Sequence, residues 1–147
     1  MITLLVISDS DKHFSSAIAE YTKRLGKELR IEYIKPCKNG TQLQIIQKET
    51  ESIIWVIEKK YKDWLKIYLS KEGEQLTTEQ IQKYIHTKHT VFIIGGPYGL
   101  DEALIAKHVN KKIAFWKITI QHGLAQLILL EQIYRISCIN SGKQYHY

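Results

Sequence analysis

The residues best placed to do chemistry lie in the last third of the chain. An apolar run ending at Ile94 leads into the glycine-rich loop 95–99, GGPYG. Glycines let backbone N–H groups come close to a ligand, and a helix predicted to begin at Asp101 or Glu102 would add a positive dipole end. The loop matches neither GxGxxG nor GxxxxGK[ST], so a dinucleotide or P-loop site lacks its fingerprint. A tight turn without a ligand explains it equally well.

Two of the six histidines lie where proton chemistry is conceivable. His122 begins a predicted helix, and His146 lies in the C-terminal tail beside Tyr145. A single histidine at either place is more often solvated or a helix cap. None has HExxH spacing or a neighbouring pair of cysteines, so the sequence predicts no metal site.

Glu131 and Arg135 are four residues apart on an otherwise apolar helix. The ordinary explanation is an ion pair within the helix. The functional alternative is an arginine held by the glutamate and directed at a phosphate. The second reading merits weight because the chain has only three arginines among its 21 basic residues.

The charge balance favours an anionic partner. The 147 residues carry 21 Lys and Arg against 15 Asp and Glu, which gives a net charge of +6. A basic chain of ordinary globular composition most often meets nucleic acid. Eight lysines form two clusters that are either a solvated surface or phosphate contacts: Lys59, Lys60, Lys62 and Lys66, and then Lys107, Lys111, Lys112 and Lys117.

The expected compartment is the cytoplasm. Cys37 and Cys138 are far apart and form no CxxC, which predicts two reduced thiols. Met1 is followed directly by ITLLVIS, without the basic region of a signal peptide. No apolar run approaches the roughly 20 residues that would cross a bilayer, so we expect no membrane partner.

Strand and helix patterns alternate along the whole chain. This predicts a single α/β domain, residues 1–147, with a mostly parallel sheet and helices on both faces. Ser8 to Asp11 offer turn and N-cap chemistry, and Thr77 with Gln80 has capping-box spacing. The run 53–57 fits a helix, although it also resembles a strand. Strands are predicted at 2–8, 31–34, 64–69, 90–94 and 113–118, with a polar loop at 70–76, and helices at 14–25, 41–60, from 77, 101–109 and 122–139.

The last helix, residues 122–139, is apolar on nearly all sides. One side can face the sheet, and the rest requires a second surface. The sequence therefore predicts a homodimer with this helix in the interface.

An ordered set of short motifs is more specific than any one of them. The set resembles the RlmH family over essentially the whole chain. The residues that carry it are Leu69…Gly73…Thr77-Thr78, then Ile94-Gly95-Gly96-x-x-Gly99-Leu100, then His122 opening a helix with Glu131-x-x-Tyr134-Arg135, and a terminal Tyr145-His146.

The resemblance implies a SPOUT-type fold whose C-terminal part is tied in a trefoil knot, a rare exception to un-knotted topology. It also implies a homodimer and S-adenosylmethionine as methyl donor. The implied substrate is a pseudouridine of large-subunit (23S) ribosomal RNA, methylated at N3 on the assembled ribosome.

Carried over by position, the resemblance implies a cofactor pocket and a catalytic tail. We expect His146 to accept a proton or position the substrate, Tyr145 to stack on or hydrogen-bond to the base, and Arg135 to contact phosphate or fix the tail. A branched side chain at Gly95 would take the place of the cofactor's methionine part. The implied cofactor residues are Leu69, Gly95, Phe115, Trp116, Lys117, Ile118, Thr119 and Ile120.

Three positions depart from the family pattern. Gln121 replaces a proline, Gln126 an arginine, and Tyr147 a terminal Arg or Lys. Two cations expected near RNA are thus missing. Two alternatives stay open: a knotted methyltransferase for another RNA position, such as a ribose hydroxyl, and an RNA- or ribosome-binding protein with weakened catalysis.

Overall fold

Five parallel strands form one sheet in the computed structural model, which describes residues 1–9, 13–86 and 88–145. The strand order is β2-β1-β4-β3-β5, and every recorded pairing is parallel. The predicted mostly parallel sheet is therefore confirmed. The strands are β1 (Ile2–Ile7), β2 (Leu29–Ile34), β3 (Leu65–Gln75), β4 (Thr90–Ile94) and β5 (Lys111–Ala114).

Helices cover both faces of the sheet, as predicted. Successive residues of β1 belong to different cores, with Leu4 on one side and Leu5 on the other, because strand side chains alternate in direction. The first core takes side chains from α1, α3 and α5, and the second from α2 and α4. The helices are α1 (Ser15–Leu25), α2 (Gln42–Lys60), α3 (Thr78–Ile85), α4 (Glu102–Ala106) and α5 (His122–Asn140).

The helix starts show where local signals suffice. Thr77 is the N-cap of α3 in a capping box with Gln80, which confirms the prediction. Thr41 is the N-cap of α2 in a second capping box, with Gln44. Helix α1 begins at Ser15, with Phe14 at the N-cap position and packed against the core. The predicted cap at Ser8 to Asp11 includes Ser10 and Asp11, which lie outside the described residues.

Strand β3 is longer than predicted, and β5 is shorter. The segment 70–76 is not a free loop, because Leu69 and Glu74 both pair with Ile113 across a bulge. A Cβ atom at Gly73 would lie 2.5–2.7 Å from backbone atoms of Ile113, so only glycine permits this approach. Strand β5 ends at Ala114, and residues 115–120 leave the sheet.

A single chain buries more of the surface of helix α5 than its apolar sequence pattern predicted. It packs on the sheet and contacts both α1 and α3. Leu124 remains 37% exposed, and Ala125, Ile128 and Ile139 are half-buried. The surface left for a partner is therefore this narrower stripe. Across the described residues, no helix is both long and apolar enough to cross a membrane.

Candidate functional site

The predicted cofactor residues meet at one edge of the sheet. Leu69 lies in β3, Gly95 directly follows β4, and residues 115–120 directly follow β5. Because β3 lies between β4 and β5 and all run parallel, Leu69 lies level with the carboxyl ends of its two neighbours: Tyr68 pairs with Ile93, and Leu69 pairs with Ile113. Crevices at the carboxyl ends of parallel strands are the usual binding places in α/β proteins.

The loop 115–120 offers an open surface with apolar groups. Trp116 is 51% exposed and Ile118 is 67% exposed, whereas Phe115 and Ile120 are half-buried. Among the described segments, no backbone hydrogen bond joins residues 116–120 to another part of the chain. Apolar side chains beside available N–H and C=O groups can flank an aromatic ring and hold its polar edge.

The glycine-rich loop closes on itself. The Gly99 N–H donates to the Gly96 carbonyl at 2.9 Å, and Gly99 has a φ of +72°. A Cβ atom at Gly95 would lie 3.1 Å from the Leu100 side chain and 3.2–3.3 Å from Gly99. A side chain at Gly95 would therefore crowd Leu100 and Gly99 within the loop. The expectation that it would also take the place of the cofactor's methionine part stays a prediction.

A buried carboxyl group of α2 lies against the glycine loop. Glu49 is 3% exposed, and its Oε2 accepts the Cys37 N–H at 3.0 Å. A Cβ atom at Gly96 would lie 2.6 Å from Oε1 of Glu49, so the loop backbone rests directly on this carboxyl group. Burial raises the pKa of Glu49. No feature of the sequence pointed to this residue.

A second polar network joins four parts of the chain near the glycine loop. The buried Tyr68 hydroxyl accepts the Leu100 N–H at 3.1 Å, and burial raises the pKa of that phenol. Ser70 Oγ donates to Glu102 at 2.6 Å, and Lys112 Nζ lies 2.7 Å from the other oxygen of Glu102. The network thus joins β3, the glycine loop, the start of α4 and β5. Sequence reasoning missed it because its members are distant along the chain.

These contacts support a test of the glycine loop. Gly95→Val places a branched side chain against Leu100 and Gly99, which forces the loop to move. We expect S-adenosylmethionine binding, measured by calorimetry, to weaken at least tenfold. Gly26→Ala is the control, since it adds a side chain at a glycine in the turn after α1, outside the cofactor segments. Unchanged affinity in Gly95→Val would place the pocket elsewhere.

The C-terminal tail comprises residues 141–147, and its described part, residues 141–145, folds back onto α5. Arg135 Nη2 lies 2.7 Å from Glu131, so the predicted ion pair is present. Arg135 Nη1 donates to the Tyr145 carbonyl at 3.2 Å, and the guanidinium lies 4.9 Å from the Tyr145 ring centroid. Arg135 therefore holds the tail. His146 and Tyr147 lie outside the described residues.

The protonation state of the Tyr145 hydroxyl limits the role of this residue. A hydrogen bond with Tyr21, together with burial, raises the pKa of Tyr145 to about 12. The phenol is therefore neutral near pH 7 and suits donation or stacking rather than proton acceptance.

Arg135 and the loop 115–120 lie at different points along α5. The loop ends just before His122, and Arg135 lies thirteen residues after His122 on the same helix. At 1.5 Å per residue, His122 and Arg135 are roughly 20 Å apart along the helix axis. Among the described residues, no hydrogen bond, ion pair or ring contact joins Arg135 or Tyr145 to a predicted cofactor residue.

The whole chain matches a known family. The family model described as Predicted SPOUT methyltransferase covers residues 1–146. The chain belongs to this family. The Bifidobacterium adolescentis protein named Ribosomal RNA large subunit methyltransferase H is 38% identical over 99% of this chain and 98% of its own length. A protein of the same name from Parabacteroides distasonis is 36% identical, with coverage of 99% and 98%.

Solved structures of SPOUT methyltransferases show the same fold at low identity. A Bacillus anthracis protein assigned to the RNA methyltransferases has a TM-score of 0.64 at 17% identity, covering 100% of both chains. Ribosomal RNA small subunit methyltransferase E from Neisseria gonorrhoeae, solved with S-adenosyl methionine, has a TM-score of 0.62 at 14% identity, covering 92% and 65%. The predicted α/β fold of the SPOUT type, the resemblance to RlmH and the methyltransferase class are confirmed. The knot stays a prediction.

The residues present fit the methyl donor of SPOUT methyltransferases. S-adenosylmethionine combines an aromatic base with polar ribose and amino-acid parts. The exposed Trp116 and Ile118 supply apolar surface, and the loop backbone supplies hydrogen-bonding groups. In the described part of the chain, no group of three or more His, Cys, Asp or Glu side chains could hold a metal ion.

The structure bears on two expectations about cations in this SPOUT methyltransferase, the missing cation at Gln126 and the two lysine clusters. Gln126 is fully buried, and its Nε2 donates to the Tyr33 hydroxyl at 3.0 Å. This position faces the protein interior, so Gln126 is not a missing surface cation. Five of the eight clustered lysines also have intramolecular partners: Lys59 with the Trp55 ring, Lys60 with Glu32, Lys66 with the Lys62 and Trp64 carbonyls, Lys111 with Glu74, and Lys112 with Glu102.

Proposed function

We propose that this SPOUT methyltransferase methylates N3 of a pseudouridine in large-subunit (23S) ribosomal RNA, on the assembled ribosome in the cytoplasm. The observation that carries the proposal is the convergence of Leu69, Gly95 and the loop 115–120 at one sheet edge, in a chain that matches large-subunit methyltransferases over its full length. The choice of pseudouridine N3 rests on the resemblance to RlmH. The net charge of +6 suits the RNA substrate.

The chain would act as one catalytic domain, residues 1–147. S-adenosylmethionine supplies an electrophilic methyl group. The N3 imide of the base is neutral and a poor nucleophile, so its proton must leave as the methyl is transferred. His146 is the proposed proton acceptor or substrate-positioning group. Tyr145, with a pKa of about 12, would donate a hydrogen bond to the base or stack on it.

The enzyme would be a homodimer with a composite site. The roughly 20 Å along α5 keeps Arg135 and Tyr145 away from the loop 115–120 of their own protomer. Two copies of α5 placed antiparallel about a two-fold axis would bring each tail to the other protomer's loop. The partly exposed Leu124 and Ile128 would lie in that interface.

Part of the support for the alternative, an RNA-binding protein with weakened catalysis, is removed by the structure. It rested on two missing cations, and one of them, at Gln126, is a buried position. Only Tyr147 remains as a departure that removes a terminal charge.

The test is methylation of ribosomes that lack the modification. We expect tritiated methyl incorporation from S-adenosylmethionine, with mass spectrometry locating the methyl on N3 of a pseudouridine in the large-subunit RNA. A methyl on a ribose hydroxyl would instead establish the other RNA position. Cofactor binding without any transfer would favour the weakened homologue, and both results would overturn the proposal.

A further inference from the structure

A cluster of three tyrosines and two arginines joins α1 to the C-terminal tail. The Tyr134 ring lies at its centre, 5.8 Å from the Tyr21 ring and 5.0 Å from the Tyr145 ring, centroid to centroid. The Arg24 guanidinium lies 5.6 Å from the Tyr21 centroid and 5.4 Å from the Tyr134 centroid. Arg135 covers Tyr145 from the other side, at 4.9 Å. The cluster therefore links residues more than 120 positions apart in sequence.

In the described part of the tail, residues 141–145, few other contacts would hold the chain. Residues 141–144 are exposed, and the backbone hydrogen bonds of this part are donated by Ser141, Gly142 and Lys143 to carbonyls of α5. Tyr145 is half-buried because it meets Tyr134, Arg135 and, through its hydroxyl, Tyr21. Chain ends fray unless side chains tie them down. The side chains of α1 thus contribute directly to ordering this end of the chain.

Arg24 is itself held in place by its own helix. Its Nε donates to Glu20 Oε1 at 2.8 Å, one turn earlier on α1. The guanidinium is thereby kept against the faces of Tyr21 and Tyr134, a geometry favourable for cation–π attraction. Arg24 and Arg135 are two of the three arginines in a chain whose other basic residues are lysines, and stacking on aromatic rings is what arginine does better than lysine.

We propose that Tyr21 and Arg24 of α1 are positioning residues that hold Tyr145 and the tail in the arrangement required for methyl transfer. The proposal rests on the proposed function, because it takes the tail to complete the active site. Tyr21 acts through the Tyr145 hydroxyl, and Arg24 acts through the ring of Tyr134 on which Tyr145 rests. Neither residue need touch the RNA or the cofactor.

The experiment compares Tyr21→Phe and Arg24→Gln with the wild-type homodimer. Loss of one hydrogen bond or one stacked cation is expected to lower kcat for ribosome methylation by about tenfold, the order of a single modest interaction. The KM and affinity for S-adenosylmethionine should not change, since the cofactor segments lie at the other end of α5. Arg24→Lys should recover part of the rate. Lys23→Gln removes the neighbouring charge on α1 and should behave like the wild type.

A double-mutant comparison separates positioning from general support of the fold. In a chain that lacks residues 144–147, Tyr21→Phe and Arg24→Gln should cause no further loss. An equal loss with and without the tail would show that they act independently of it and would overturn the proposal. A wild-type kcat in both Tyr21→Phe and Arg24→Gln would also overturn the proposal, if deletion of the tail itself lowers the rate. If tail deletion itself has no effect, the proposed site fails instead.

Discussion

Removal of residues 144–147 is expected to lower methyl transfer to ribosomes by about four orders of magnitude. Substrate positioning and proton removal are each worth roughly a hundredfold or more, and this segment carries both candidate groups, Tyr145 and His146. The fold should survive, because the segment lies beyond α5 and its described residues, 144 and 145, belong to neither core. S-adenosylmethionine binding should also survive, because the segments that contain Leu69, Gly95 and the loop 115–120 are intact.

The measurement is tritiated methyl incorporation into ribosomes that lack the modification, in parallel with calorimetry of cofactor binding. Replacement of residues 144–147 by Gly-Ser-Gly-Ser is the matched control for chain length. It should be as inactive as the deletion. Single variants Tyr145→Phe and His146→Ala then divide the effect between the two side chains. A truncated chain that methylates at the wild-type rate would mean that the tail is an ordinary frayed terminus.

Two inactive variants are expected to restore activity when they are combined in one dimer. One chain lacks residues 144–147 and the other carries Gly95→Val. If each site takes its cofactor segments from one protomer and its tail from the other, a heterodimer retains one intact site of two. The purified heterodimer should then show about half of the wild-type rate. Each homodimer should remain inactive.

Co-expression with two different affinity tags yields the heterodimer, and light scattering establishes its size. The expected result follows from the proposed composite site, in which each tail acts on the loop 115–120 of the other protomer. A heterodimer as inactive as its parents would place the whole site within one chain. A stable monomer at micromolar concentration would refute the dimer itself. Leu124→Ala is a control for minor change in the interface and should leave the complementation intact.

The sequence by itself determined the elements and their order. Apolar periodicity placed the strands and helices, since burial on one face of a helix or strand repeats at a fixed local interval. The Thr77–Gln80 spacing predicted the start of α3 correctly, because a capping box involves only residues three apart. The run 53–57, which also resembled a strand, lies in α2. The glycine loop after β4 was evident for the same local reason.

Only the tertiary structure decided which distant groups meet. Gln126 looked like a missing surface cation, yet it is buried and donates to the hydroxyl of Tyr33 in β2, 93 residues earlier in the chain. Residues 70–76 looked like a loop until Gly73 met the backbone of β5. Local patterns specify what each segment can form. They do not specify the segments against which it packs.

The same distinction applies to the candidate site. The residue types of the glycine loop, the loop 115–120 and the tail were visible in the sequence. Their separation along α5 was not, because the tail folds back onto the middle of the helix through Arg135. The contribution of Tyr21 and Arg24 could not be predicted either, since no pattern in α1 indicates a contact with a tail more than 120 residues later. Long-range contacts depend on the path of the whole chain, and that path is set by how the two cores close around the sheet.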